Sequence, residues 1–172
     1  MLTRLYYDVE VLSLPAGDTI DMVRDNNCAI YECPANGCFK ARGEKKPLFM
    51  AFRERNNHGR MTHLYKIQDV LCLNLEDEIA IDSFSTQTDD KGNLKYKGFR
   101  DRINYYKRKN KNQSKGGDRW VFLLDVENSI ELPFPVEYES SIGVPGEVHL
   151  AIKDFFGYPK DGVVKLQFKK TE

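Results

Sequence analysis

The 172-residue sequence has no long apolar run, only one tryptophan and no excess of charge of either sign. Charged side chains occur within the first ten residues, so the N-terminus predicts neither a signal peptide nor a membrane span. Hydrophobic residues make up 41% of the chain, which is enough to bury one substantial core. We therefore expect a cytoplasmic protein that folds as a single domain over residues 1–172 and does not bind a membrane.

The sequence also lacks the common motifs of enzymes and metal sites. The glycines at 116–117 and 143–146 do not have the spacing of a phosphate-binding loop, and no serine or cysteine has the context of a nucleophile elbow. Cys28, Cys33 and Cys38 recur every five residues. Structural zinc usually needs two pairs of closely spaced Cys or His ligands, and the sequence does not supply two such pairs. We predict reduced thiols, no bound metal, no cofactor and no catalytic residue.

Alternation of apolar and polar residues dominates the chain and predicts strands. Leu5, Tyr7, Val9 and Val11 alternate with Arg, Tyr, Asp and Glu, which indicates a first strand that ends at Pro15. A short helix is expected next, and then further strands, of which the first three should form a meander. These strands are expected at residues 28–33, 48–52, 64–75, 120–124, 129–132, 148–152 and 164–168.

Residues 97–109 have the pattern of an amphipathic helix, because Phe99, Ile103 and Tyr106 recur at i, i+4 and i+7. Residues 76–93 are acidic and rich in Ser and Thr, which predicts a loop with one short strand. Several strands, one clear helix and no internal repeat predict an α+β fold. We expect it to be mostly β, a closed or nearly closed barrel with inserted helices.

Positive charge and aromatic rings concentrate in residues 95–120. This segment has ten Lys and Arg residues against two Asp, an excess of +8, so the rest of the neutral chain carries −8. This uneven distribution of charge predicts a surface that binds a polyanion, and nucleic acid is the leading candidate. Rings beside cations combine stacking with phosphate contacts, as the binding of single strands or flipped bases requires. The alternative interpretation is a helix face that is only solvated.

The nucleic-acid hypothesis gives each candidate residue a role. Acidic partners at i, i+4 spacing are nearly absent from the segment, which favours binding over a merely solvated face. Tyr105 and Trp120 are candidates for stacking on bases, whereas Tyr106, and alternatively Trp120, are expected in the core. The candidate phosphate contacts are Arg100, Arg102, Lys107, Arg108, Lys109, Lys111 and Lys115.

Two other functions remain open from the sequence. Asp125 and Glu127 place two carboxylates on one side of a strand end, as the Mg²⁺ site of a nuclease requires. Ser129, however, occupies the position where a PD-(D/E)xK nuclease has lysine. The other alternative is a protein-interaction module, for example a phage or defence-system inhibitor, whose basic face meets an acidic protein partner.

The order of the segments LFMAF, LYKIQDVLCL, RWVFLL, IELPFPVEY and VHLAI, with a basic helix between the second and third, resembles PUA-like barrels of the EVE and ASCH type. The resemblance covers residues 28–168, with the basic helix and loop at 95–119. Such domains bind RNA or modified DNA bases in a pocket with a basic rim, and many are not enzymes. The resemblance implies an aromatic-lined pocket in which Arg53, the residue after LFMAF, donates hydrogen bonds. The acidic loop at 76–93 and the N-terminal strand depart from a minimal domain of this family.

Overall fold

The computed structural model describes residues 10–17, 19–35, 47–110, 116–140 and 146–167. These residues are mostly β with a few helices, which confirms that part of the prediction. None of the helices in these ranges has the combined length and apolar character that crossing a membrane requires. The strands are β1 (Glu10–Ala16), β2 (Ile30–Pro34), β3 (Phe49–Glu54), β4 (Met61–Leu73), β5 (Arg119–Tyr138), β6 (Val148–Ala151) and β7 (Val164–Leu166), and the α-helices are α1 (Ile20–Arg24), α2 (Glu78–Ser85) and α3 (Phe99–Lys109).

The strands hydrogen-bond in the order β2-β5-β4-β3-β1-β6, and β7 pairs with β5. Leu12 of β1 lies opposite Met50 of the parallel strand β3 and opposite His149 of the antiparallel strand β6. Within the described residues, β2 and β6 end this order, so the sheet is not a closed barrel, whereas the sequence predicted a closed or nearly closed one. Alternation of side chains identifies strands, but it does not encode whether the first and last strands pair.

The predicted strand pairing is correct in part. β3 and β4 are antiparallel neighbours, with Phe49 opposite Lys66, as the meander requires. β2, however, pairs with β5 instead of β3, so the first member of the meander is wrong. The strands predicted at 120–124 and 129–132 are one continuous strand, β5. The residues before Glu10, which carry most of the predicted first strand, lie outside the described residues.

Helix α2 occupies a region for which the sequence predicted a loop with a strand. Asp77 caps this helix, because its side chain accepts a hydrogen bond from the N–H of Ala80 at 3.0 Å. Ile81 is buried, and the ring of Phe84 makes an edge contact with that of Phe99. The i, i+3 spacing of Ile81 and Phe84 therefore gives α2 one apolar face within an otherwise polar stretch.

The described residues belong to two compact units, each with its own core. The first unit is drawn from Met1–Ile20, Ala41–Gln68 and Asp125–Glu172, and the second from Asp21–Lys40 and Asp69–Leu124. Strands β4 and β5 contribute residues to both units, and the single-domain expectation stays a prediction.

The core of the second unit is built around α3. Phe99, Ile103 and Tyr106 are buried there together with Ile81, which confirms the apolar stripe predicted for α3. The core of the first unit takes side chains from β1 and from β3 to β7, among them the fully buried Val11. The side chains of α3 that lie outside the core of the second unit are the ones that a ligand can reach.

Candidate nucleic-acid interface

Helix α3 carries most of the candidate binding residues. It begins after Gly98, whose φ of +69° lies in the left-handed region that glycine adopts without strain. Its last turn contains Lys107, Arg108 and Lys109, and the negative end of the helix dipole stabilises cations at this position. Because one face of α3 is buried, its charged side chains lie on the remaining surface. Some of them contact other residues of the protein, and others are exposed to solvent.

Arg100 and Lys107 are neutralised by carboxylates of α2. Arg100 Nη1 lies 3.2 Å from Glu78 Oε2, and Arg100 Nε donates to Asp82 Oδ1 at 2.8 Å. Lys107 Nζ lies 3.0 Å from Glu78 Oε1. The hydrogen bond to Asp82, together with the charges of both carboxylates, raises the pKa of Arg100. The acidic partners of these cations therefore come from another helix and not from i, i+4 neighbours on α3.

Arg102 is occupied by backbone carbonyls. Its Nε donates to Cys28 O at 2.8 Å, and its Nη2 donates to Ala29 O at 2.6 Å and to Leu124 O at 3.1 Å. Hydrogen bonds from a charged donor contribute about 1.5–3 kcal/mol, and a buried carbonyl is costly to leave unpaired. This environment gives Arg102 a role in stability, and the phosphate contact stays a prediction.

A buried polar network joins α3, β2 and β5. Arg119 pairs with Glu32, and their side chains are only 10% and 6% exposed. The hydroxyl of Tyr106 donates to Glu32 Oε1 at 2.8 Å, and Asn110 Nδ2 donates to that hydroxyl at 2.6 Å. Burial, reinforced by the charge of Glu32, raises the pKa of Tyr106 far above its ordinary value. Asn110 and Arg119, which precede and follow residues 111–115, are thus linked to the same carboxylate.

The two predicted stacking residues are half-buried. Trp120 lies on β5, and its Nε1 donates to Ala35 O at 3.2 Å. The hydroxyl of Tyr105 donates to Asp25 Oδ2 at 2.5 Å, and this hydrogen bond lowers the pKa of Asp25 and raises the pKa of Tyr105. Tyr105 also packs against the core of the second unit. A base can therefore reach only part of either ring.

Arg108 and Lys109 are exposed at the end of α3. Arg108 Cζ lies 5.8 Å, and Lys109 Nζ 5.7 Å, from the ring centroid of Tyr105. Neither cation forms an ion pair with a residue in the described ranges. We call Tyr105, Arg108 and Lys109 the basic end of α3. The two other predicted phosphate contacts, Lys111 and Lys115, lie outside the described residues.

Arg53, predicted to line a pocket, belongs to the first unit and is half-buried. Its Nη2 donates to Gly146 O at 2.6 Å, and its Cζ lies 5.8 Å from the ring centroid of Tyr138. Burial lowers the pKa of Arg53. The structure therefore brings Arg53 against an aromatic ring, within a different unit from the other candidates.

The carboxylates of the nuclease alternative have different surroundings. Asp125 accepts hydrogen bonds from the backbone N–H of Asn128 at 3.2 Å and from its Nδ2 at 2.9 Å, and Lys66 Nζ lies 3.5 Å away. Burial works to raise the pKa of Asp125, but the contacts with Asn128 and Lys66 outweigh it and lower the pKa. Glu127 is exposed. In the part of the chain that the structure describes, no three His, Cys, Asp or Glu residues are grouped to hold a metal.

The cysteines in the described residues are free thiols. Cys28 and Cys33 are buried, and Cys72 is exposed. Burial raises the pKa of Cys28 to about 11, so this thiol is protonated at neutral pH. Cys38 lies outside the described residues.

No protein-family model, curated protein or solved structure matches this chain. The likeness to PUA-like domains thus rests on strand order and hydrophobic pattern, and it stays a prediction. Glu78 and Asp82 were not predicted from the sequence as partners of the basic helix. The signal that pointed to them was Asp77 at a helix N-cap position, followed by apolar residues with i, i+3 spacing.

Proposed function

We propose that this protein is a cytoplasmic nucleic-acid-binding module that holds RNA or single-stranded DNA at the basic end of α3. The observation that carries the proposal is the pair of exposed cations, Arg108 at 5.8 Å and Lys109 at 5.7 Å from the ring centroid of the half-exposed Tyr105. Ammonium and guanidinium groups contact phosphates, and an aromatic ring beside them offers a base a surface on which to stack. This combination suits a flexible strand whose bases are unpaired.

The proposed surface is smaller than the charge of the basic segment suggested. Arg100 and Lys107 are paired with carboxylates, and Arg102 is bonded to carbonyls. Of the described residues predicted to contact phosphates, the two exposed cations Arg108 and Lys109 therefore remain. Each phosphate neutralised on a single strand contributes about 0.7 to the slope of log affinity against log salt, so these two cations contribute about 1.4. We expect modest affinity, and Lys111 and Lys115 stay predicted contributors on sequence grounds.

A pair of charge-matched double variants tests the proposal. Arg108→Ala with Lys109→Ala removes two exposed cations, and Arg100→Ala with Lys107→Ala removes two cations that are already paired. We expect the first variant to weaken binding of a labelled single strand and to reduce the salt slope by about 1.4. The control should keep the salt slope near that of the parent protein and should lose less affinity than the first variant, because it affects binding only by leaving Glu78 and Asp82 unpaired.

Three results would count against the proposal. Equal losses in both double variants would mean that overall charge, and not the basic end of α3, governs binding. Absence of binding to any oligonucleotide would exclude the function, and an acidic protein would then be the partner to seek. Cleavage of the oligonucleotide in Mg²⁺, lost when Asp125 and Glu127 are replaced by alanine, would establish the nuclease alternative instead.

A further inference from the structure

Carboxylates border the basic end of α3 on the side of α2. Glu78 contacts both Arg100 and Lys107, and Lys107 directly precedes Arg108 in the helix. The side chains of Glu78 and Asp82 are 56% and 61% exposed, so each keeps part of its surface open to solvent although it is paired. A phosphate that approaches Arg108 from this side also approaches negative charge.

A third carboxylate borders the other side of the basic end. Asp25 accepts the hydrogen bond from Tyr105, so its carboxylate lies against the ring of the basic end, and the charge of Lys109 contributes to the lowered pKa of Asp25. We call Asp25, Glu78 and Asp82 the acidic flanks. The cations available to a ligand therefore form a narrow strip between negative groups.

The acidic flank on α2 is fixed in position. Ile81 of this helix is buried in the core, and Phe84 makes edge contacts with Tyr96 and Phe99. Moving Glu78 and Asp82 away from α3 would remove these side chains from the core. Glu78 and Asp82 therefore stay beside α3 when a ligand binds, and the ligand does not displace them.

We infer that the acidic flanks make the basic end of α3 select a single strand over a duplex, an inference that rests on the proposed function. A duplex carries one negative charge per about 1.7 Å of axis on a broad cylinder, so its second backbone meets the flanks while the first meets the cations. A single strand follows the narrow strip with one backbone. It also presents unpaired bases to Tyr105, which a duplex does not.

Neutralisation of one flank tests this inference. We would measure dissociation constants for a labelled strand and for the same strand annealed to its complement, at one salt concentration. Glu78→Gln removes the carboxylate shared by Arg100 and Lys107, and Asp82→Asn is a second variant that leaves Glu78 and the first turn of α2 intact. Glu131→Gln, at an exposed carboxylate of the first unit, is the control with the same change in net charge.

The parent protein should bind the single strand more tightly than the duplex. In Glu78→Gln and Asp82→Asn, duplex affinity should rise by roughly two- to fivefold, the size of one exposed charge interaction, with a smaller gain for the single strand. Glu131→Gln should leave the ratio of the two affinities unchanged. Binding with no preference in the parent protein, or an unchanged ratio in both flank variants, would overturn the inference alone. Absence of all binding by the parent protein would overturn the proposed function and the inference with it.

Discussion

The cations of α3 fall into two groups that the sequence does not distinguish. Arg100, Arg102 and Lys107 are bound by carboxylates or carbonyls of the second unit, whereas Arg108 and Lys109 are exposed beside the ring of Tyr105. The first group stabilises the fold, and the second is available to a partner. A local excess of charge in the sequence is therefore a poor measure of a binding surface, because tertiary contacts neutralise part of that charge.

The largest effect should come from Tyr106, whose burial fixes the orientation of both groups. Tyr106→Ala removes a fully buried ring and should lower the free energy of unfolding by about 3–5 kcal/mol. Tyr106→Phe keeps the ring but leaves Glu32 and Asn110 without the hydroxyl, and should cost about 1–3 kcal/mol. Urea unfolding measures both. Near-parent stability of the alanine variant would show that the helix turns a different face to the core.

Arg102 and Arg108 allow the sharpest test between the two groups. Arg102→Ala removes three hydrogen bonds to backbone carbonyls and should lower the free energy of unfolding by at least about 1.5–3 kcal/mol, the size of one charged hydrogen bond. Arg108→Ala, at an exposed position, should change stability by less than about 0.5 kcal/mol. Thermal or urea unfolding distinguishes them. Equal stability of the two variants would remove the distinction between structural and available cations.

The exposed ion pairs with α2 should contribute less. Arg100→Ala with Lys107→Ala breaks contacts whose partners are more than half exposed, and pairs of this kind are worth about 0–1 kcal/mol each. The stability of this double variant, measured at low and at high salt, should converge on that of the parent protein as salt screens the pairs. A loss that salt does not reduce would mean that these side chains stabilise the fold by packing.

The smallest effect concerns the hydrogen bond between Tyr105 and Asp25. This bond is the main cause of the lowered pKa of Asp25, so Tyr105→Phe should raise that pKa toward its ordinary value. A carboxyl group with a lowered pKa stabilises the fold above its unfolded pKa, and this contribution disappears as the pH falls through the lowered value. As the pH falls, protonation of Asp25 lowers the free energy of unfolding. In Tyr105→Phe this loss of free energy should be smaller than in the parent protein.

An NMR titration of the Asp25 carboxyl carbon measures this change. Asp89 is the internal control, because its lowered pKa comes from hydrogen bonds within its own turn, first from Asn93. That pKa should be the same in both proteins. An Asp25 pKa that does not move in Tyr105→Phe would show that the hydroxyl of Tyr105 is not held as described, and that the ring is freer to meet a ligand.

Local patterns predicted the elements that depend on neighbours in sequence. The apolar stripe of α3 and the pairing of β3 with β4 follow from side-chain spacing and from a short connection. Helix α2 was missed because only Ile81 and Phe84 mark its apolar face, in a segment whose composition favours a loop. The single strand β5 was divided in two because its central residues, such as Glu127, are polar and exposed.

The division of the cations could not be predicted, because it depends on pairs that are distant in sequence. Arg100 and Asp82 are 18 positions apart, Lys107 and Glu78 are 29 apart, and Arg102 reaches carbonyls more than 70 positions before it. A search at i, i+4 spacing finds none of these partners. The exposure of Arg108 and Lys109 is the result of where α2 packs, which only the tertiary structure shows.

The most direct test of the account is to locate the ligand on α3 by NMR. Amide and side-chain signals of the labelled protein would be followed as a short single strand is added. We expect the largest shifts at Tyr105, Arg108 and Lys109, and small shifts at Arg100 and Arg102. Shifts centred on Arg53 in the first unit, or spread evenly over every cation of α3, would contradict the claim that the exposed end of this helix is the binding surface.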